Sequence, residues 1–100
     1  MTVAKYTLVI TSEADHDLSN LYEEGFLKWG EEQADHYYNA LLTHFEILCD
    51  NPYLFRAVDE IRPGYRRSVC GKHSIFYRIV GDAVEITALV KYENRLPPSL

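Results

Sequence analysis

Sulfur chemistry is nearly absent from this sequence: Cys49 and Cys70 are its only cysteines. Two thiols in no C-x-x-C pair exclude a disulfide framework and a redox motif, and both read as buried free thiols. The four histidines, His16, His36, His44 and His73, never fall into H-x-x-x-H spacing, which removes the case for zinc, and no metal or cofactor is expected. The five glycines are scattered as punctuation, so there is no phosphate-cradling loop, and no G-x-S-x-G nucleophile elbow occurs. Apolar runs fall far short of the roughly 18 residues that a membrane span needs, so no membrane partner is expected. The opening Met1-Thr2-Val3-Ala4-Lys5 has no apolar leader region, and the expected location is the cytoplasm.

What is present is the composition of an ordinary globular domain, 47% hydrophobic and 25% charged over 100 residues. A chain of this size buries roughly 60–70% of its unfolded surface, enough for one core without staples, and residues 1–100 are expected to form a single domain. The net charge of -5 conceals an asymmetry. Residues 1–55 carry two basic groups, Lys5 and Lys28, against ten acidic ones, whereas residues 56–100 carry eight basic groups against five acidic ones. The second half therefore offers a basic surface to an anionic partner, or its cations neutralise the acidic helices.

Lys5 to Thr11 is β-branched and aromatic, with Tyr6, Leu8 and Ile10 alternating onto one face, and predicts a strand. Ser12 with Asp15 three residues on predicts a helix start. Ala14, Leu18, Leu21, Tyr22, Gly25 and Trp29 then recur at helical spacing as one apolar stripe, and Gly30 ends the helix. A second helix is predicted from Glu31 to about Cys49, with Ala34, Tyr37, Tyr38, Leu41, Phe45 and Leu48 on its buried stripe and Asn51-Pro52 as the stop. The short joint at Gly30 makes the two an αα-hairpin. Residues 53–64 read as a loop ending in Arg62-Pro63-Gly64.

Three strands follow: Tyr65 to Cys70, His73 to Val80 and Ala83 to Val90, joined by Gly71-Lys72 and by Gly81-Asp82. Ile75, Tyr77 and Ile79, then Val84, Ile86 and Ala88, alternate with polar residues, so one face is buried. The expected fold class is α+β in the order β-α-α-β-β-β, an antiparallel sheet packed against the helical hairpin. Acidic pairs such as Glu23-Glu24 and Glu31-Glu32 read as solvated helix surface. His73, at the head of a strand, reads as a structural hydrogen-bonding histidine, with a general base as the alternative.

Several stretches resemble one family in combination. They are Ala14-Asp15, Asp17-Leu18 and Tyr22 in the first helix, and Trp29-Gly30, Gln33-Ala34, Tyr37 and Leu41 in the hairpin. Leu48 and Asn51-Pro52 follow, then Glu60-Ile61-Arg62-Pro63-Gly64-Tyr65-Arg66 and His73-Ser74-Ile75-Phe76-Tyr77-Arg78. The whole chain resembles the ParE/RelE superfamily of small bacterial toxins, more closely its ParE branch. The resemblance implies a RelE/ParE-like fold and the toxin of a type II toxin-antitoxin pair. Its expected partners are a cognate ParD-like antitoxin that wraps it and DNA gyrase as the target, bound without chemistry. No direct sequence-specific nucleic-acid binding is expected. A basic second half and a groove beside the hairpin suit an acidic peptide that folds on binding.

Target or partner contacts are expected from Arg62, Arg66, Arg67, His73, Tyr77, Lys91, Tyr92, Asn94 and Arg95, with no catalytic residue. Two alternatives stand beside this. One is a RelE-like ribosome-dependent mRNA endonuclease, in which Arg62, Arg66, Arg67, Lys91 and Tyr92 would serve the phosphate and the 2′-hydroxyl, against which the acidic total charge argues. The other is a non-toxic module that binds an antitoxin. The chain also departs from the family at its last strand. Where a Leu-His-x-Arg-x-Asp-like sequence is common, it has Leu89-Val90-Lys91-Tyr92-Glu93-Asn94.

Overall fold

Thr11 rather than Ser12 opens the first helix, because its hydroxyl accepts the Ala14 N–H at 3.2 Å while Ser12 already has helical backbone. The computed structural model describes residues 6–91. In it α1 spans Ser12–Trp29 and α2 spans Glu31–Asp50, following β1 at Thr7–Ile10. Gly30 alone joins the helices. At φ 94° it donates its N–H to the Phe26 carbonyl, closing α1, and accepts from the Ala34 N–H, opening α2. Asn51-Pro52 ends α2 as expected, one residue beyond Cys49.

The sheet contains β2 (Arg56–Ala57), β3 (Tyr65–Cys70), β4 (His73–Val80) and β5 (Ala83–Lys91) in the order β1-β5-β4-β3-β2. The three C-terminal strands form the expected antiparallel meander. β1 joins its edge in parallel with β5, Thr7 opposite Ala83 and Ile10 opposite Ile86, so the sheet is mixed. The stretch read as a loop contributes β2, which pairs Arg56 with Arg67 and Ala57 with Arg66.

The main core lies between the hairpin and the sheet. Ala14 and Leu18 of α1 and Leu41, Phe45, Leu48 and Cys49 of α2 meet Ile75, Tyr77, Val84, Ile86 and Leu89. Each fully buried large side chain there contributes roughly 1.5–3 kcal/mol. Trp29, expected on the α1 stripe, is instead 66% exposed, with Lys72 Nζ of the β3–β4 turn 6.0 Å from its ring centroid. The opposite face of the sheet is also covered. Val58, Tyr65 and Phe76 form a second small cluster with Ile61, Ala88 and Val90 beneath the 58–64 connection.

A β-bulge explains why Ala88 belongs to that second cluster and not to the main core as the alternation predicts. Register shifts between Phe76 and Tyr77: Tyr77 opposes Ile86, but Phe76 opposes Ala88, so Thr87 is the extra residue. Its hydroxyl donates to the Phe76 carbonyl at 3.1 Å. Beyond it the strand's parity inverts, so Leu89 enters the main core and Lys91 shares its side of the sheet. Beyond Ile86, β1 no longer covers β5. There the Leu89 N–H is taken by the Asp17 carboxylate of α1 at 3.0 Å.

Candidate partner-binding surfaces

Strand parity divides the residues expected to bind together. Arg66, His73, Tyr77 and Lys91 lie on the helix side of the sheet, and Arg67 lies on the other with Arg62 above it. Arg66 secures the connection after α2: its Nη1 donates to the Phe55 carbonyl at 2.8 Å, and its guanidinium sits 5.0 Å from the Tyr53 ring centroid. Tyr77 is completely buried and its hydroxyl donates to the Pro52 carbonyl at 2.7 Å. Burial pushes that hydroxyl up to about 12. Tyr77 is therefore a core residue and not a surface contact, which corrects the sequence expectation. Tyr92, Asn94 and Arg95 lie outside the described residues.

His73 is buried too, and its partner is Tyr37 of α2. The Tyr37 hydroxyl lies 3.1 Å from the Cys70 carbonyl, 2.7 Å from His73 Nδ1 and 3.0 Å from the Lys72 N–H. The hydroxyl has one hydrogen, so all three contacts are met together only if it donates to Cys70 and accepts from Nδ1–H and from Lys72. This is the structural role read for His73, and its burial removes it from direct contact with a partner. Charged groups from two other elements surround the ring: Lys91 of β5, and Glu24 and Asp17 of α1. Lys91 Nζ sits 2.7 Å from Glu24 Oε1, and this contact, with Lys28 adding to it, holds the Glu24 carboxyl below its ordinary range.

On the opposite face, Arg67 Nε donates to Ser74 Oγ at 3.0 Å. Arg62 and Arg78 both lie over the Tyr65 ring, at 5.5 and 5.9 Å, and Arg78 also pairs with Glu85 at 2.6 Å. A groove of about 850 Å³ runs from there along β5 to the first turns of α1, and its lining includes Arg62, Tyr65, Arg78 and Lys91. Sequence reasoning missed Arg78 and Tyr65. The signal was available in the alternation, because the hairpin at Gly71-Lys72 brings Tyr65 directly opposite Arg78. Cys49 is buried and Cys70 only partly so, and burial raises both thiols away from the reactive thiolate. No helix among the described residues is long and apolar enough to cross a membrane.

The two histidines that tie α2 to the sheet make stability depend on pH. His44 Nε2 lies 2.7 Å from Ser68 Oγ, and burial holds His44 below the ordinary 6.5. Burial lowers His73 as well, with Lys91 adding to it and the two carboxylates opposing. The unfolded chain therefore binds these protons more readily than the folded one, so stability is full above pH 6.5 and declines as the pH falls below it. Urea midpoints measured from pH 7.5 to 5 should show this fall, and His44→Gln together with His73→Gln should flatten it. An unchanged slope in the double variant would refute the assignment.

Residues 8–95 match the family described as the ParE toxin of the type II toxin-antitoxin system parDE. The chain belongs to that family. It is 35% identical over 74 residues to Toxin ParE1 of Mycobacterium tuberculosis strain H37Rv, covering 74% of this chain and 76% of that protein. It is also 35% identical over 77 residues to Toxin ParE1 of Caulobacter vibrioides, covering 77% and 79%. Among solved structures, the chromosomal ParDE TA system from P. aeruginosa superposes with a TM-score of 0.77 at 19% identity, covering 89% of this chain and 98% of that one. That likeness establishes the ParE fold. The meander, the hairpin and the edge strand β1 are thus the ParE framework on which this chain's own charges are arranged.

Proposed function

We propose that this ParE-family toxin acts in the cytoplasm by docking onto DNA gyrase without chemistry of its own, and that a cognate ParD-like antitoxin neutralises it. The observation that carries the reading is the division of the expected residues between the two faces of the sheet. His73, for which a general base was the alternative to a structural role, is buried and bonded to Tyr37 on the helix side, while Arg62 and Arg67 lie on the other. Acid–base cleavage of RNA through His73 would need that ring and phosphate-holding cations converging on one point, and its burial against Tyr37 keeps it out of the groove that Arg62 and Lys91 line. Docking needs only an exposed complementary surface, which Arg62 and Arg78 over the buried Tyr65 ring and the groove along β5 supply.

The test is supercoiling of relaxed plasmid by purified gyrase. The chain alone should inhibit the reaction and accumulate cleaved DNA, and added antitoxin should relieve both effects. Arg62→Glu with Arg67→Glu should raise the half-inhibitory concentration by about tenfold or more, since reversing contact charges replaces attraction by repulsion. Undisturbed supercoiling at large excess would overturn the gyrase reading. Message cleavage in a translating extract would replace it with the endonuclease.

A further inference from the structure

The helical hairpin carries a second recess, a cleft of about 590 Å³ open to solvent between α1 and α2. Its floor is aromatic. Tyr22 and Tyr38 meet edge to face with centroids 5.8 Å apart, and Phe26 beside them is 46% exposed. The Tyr22 hydroxyl donates to Asp35 across the two helices, which holds the ring in place before anything binds.

The rim is acidic, formed by Asp15 and Glu23 of α1 and Asp35 of α2. Among the described residues no ion pair reaches any of the three, because the lysines of this region, Lys28 and Lys91, both pair with Glu24. A half-buried aromatic floor with Phe26 exposed beside it gains free energy when covered, and a ring of carboxylates selects the sign of what covers it. An acidic segment, which the total charge asymmetry suggested as the partner, would be repelled here.

We propose that this cleft seats a basic amphipathic segment of the antitoxin. Its apolar side chains would lie on Tyr22, Phe26 and Tyr38, and its lysines or arginines would reach Asp15, Glu23 and Asp35. The inference rests on the reading that an antitoxin is the partner. It adds where one part of that antitoxin lies and what charge that part carries.

The test is calorimetric titration of the full-length antitoxin encoded beside this chain's gene into the wild-type chain, Phe26→Ser, and Asp15→Lys with Glu23→Lys. All three substituted residues are exposed, so the variants should fold, which thermal melts followed by circular dichroism would verify. Each variant should bind about tenfold more weakly or worse, as truncating a contact anchor or reversing rim charge does. For the charge variant, the deficit should shrink at high salt, and a compensating Lys→Glu or Arg→Glu change in the antitoxin should restore binding. Wild-type affinity in both folded variants would overturn the cleft assignment while leaving the antitoxin reading intact. No binding to the wild-type chain would overturn both.

Discussion

Tyr77→Ala is expected to unfold most of the protein at 25 °C. The side chain is completely buried in the main core, and removing a buried aromatic costs about 3–5 kcal/mol. It would also strand the Pro52 carbonyl, which the Tyr77 hydroxyl satisfies at 2.7 Å, for roughly 1–3 kcal/mol more. Against a total stability of about 5–15 kcal/mol for a domain this size, little would remain. Tyr77→Phe keeps the ring and isolates the hydrogen bond, so it should stay folded with a urea midpoint lowered by the smaller cost alone. If Tyr77→Phe matched the wild-type midpoint, the bond to Pro52 would contribute nothing and the anchoring of the 52–57 connection would have to come from Arg66.

Gly71→Ala is the second large effect. Gly71 turns the chain from β3 into β4 at φ +59°, a left-handed conformation that costs an L-residue roughly 1–2 kcal/mol. An added Cβ would also meet Tyr37 Cε1 at 2.6 Å and its hydroxyl at 2.8 Å. The ring would have to leave its place among Cys70, Lys72 and His73, and losing those hydrogen bonds adds about 1–3 kcal/mol. In a Tyr37→Ala background the steric part disappears, so Gly71→Ala should then cost only the conformational part. Equal costs in both backgrounds would show that the turn and the helix are not coupled.

These two sites illustrate what was legible in the residues. Both Gly71 as a turn and Tyr77 as an inward-facing strand residue follow from local pattern, but assigning Tyr77 a surface role as well could not hold. A residue that shares a covered face with Ile75 and Ile79 has no route to a partner. The adjacent pair Arg66 and Arg67 carries the same lesson, because neighbouring strand residues point to opposite faces. The two guanidinium groups therefore leave the sheet on opposite sides and form no single basic patch.

Sequence alone determined both helices, the meander with its glycine turns, the stop at Asn51-Pro52 and the ParE resemblance. Each of these rests on interactions within a few residues, or on motifs read in chain order. Tertiary structure decided the rest. It set β1 in parallel beside β5, recruited Arg56–Ala57 as a strand, and inverted the parity of Leu89 and Lys91 through the bulge at Thr87. It also brought Asp17 to the Leu89 N–H across 72 positions and gathered an acidic rim over aromatic rings between α1 and α2. Those features depend on which segments meet in space, and no local period or propensity encodes a meeting between residues so far apart in the chain.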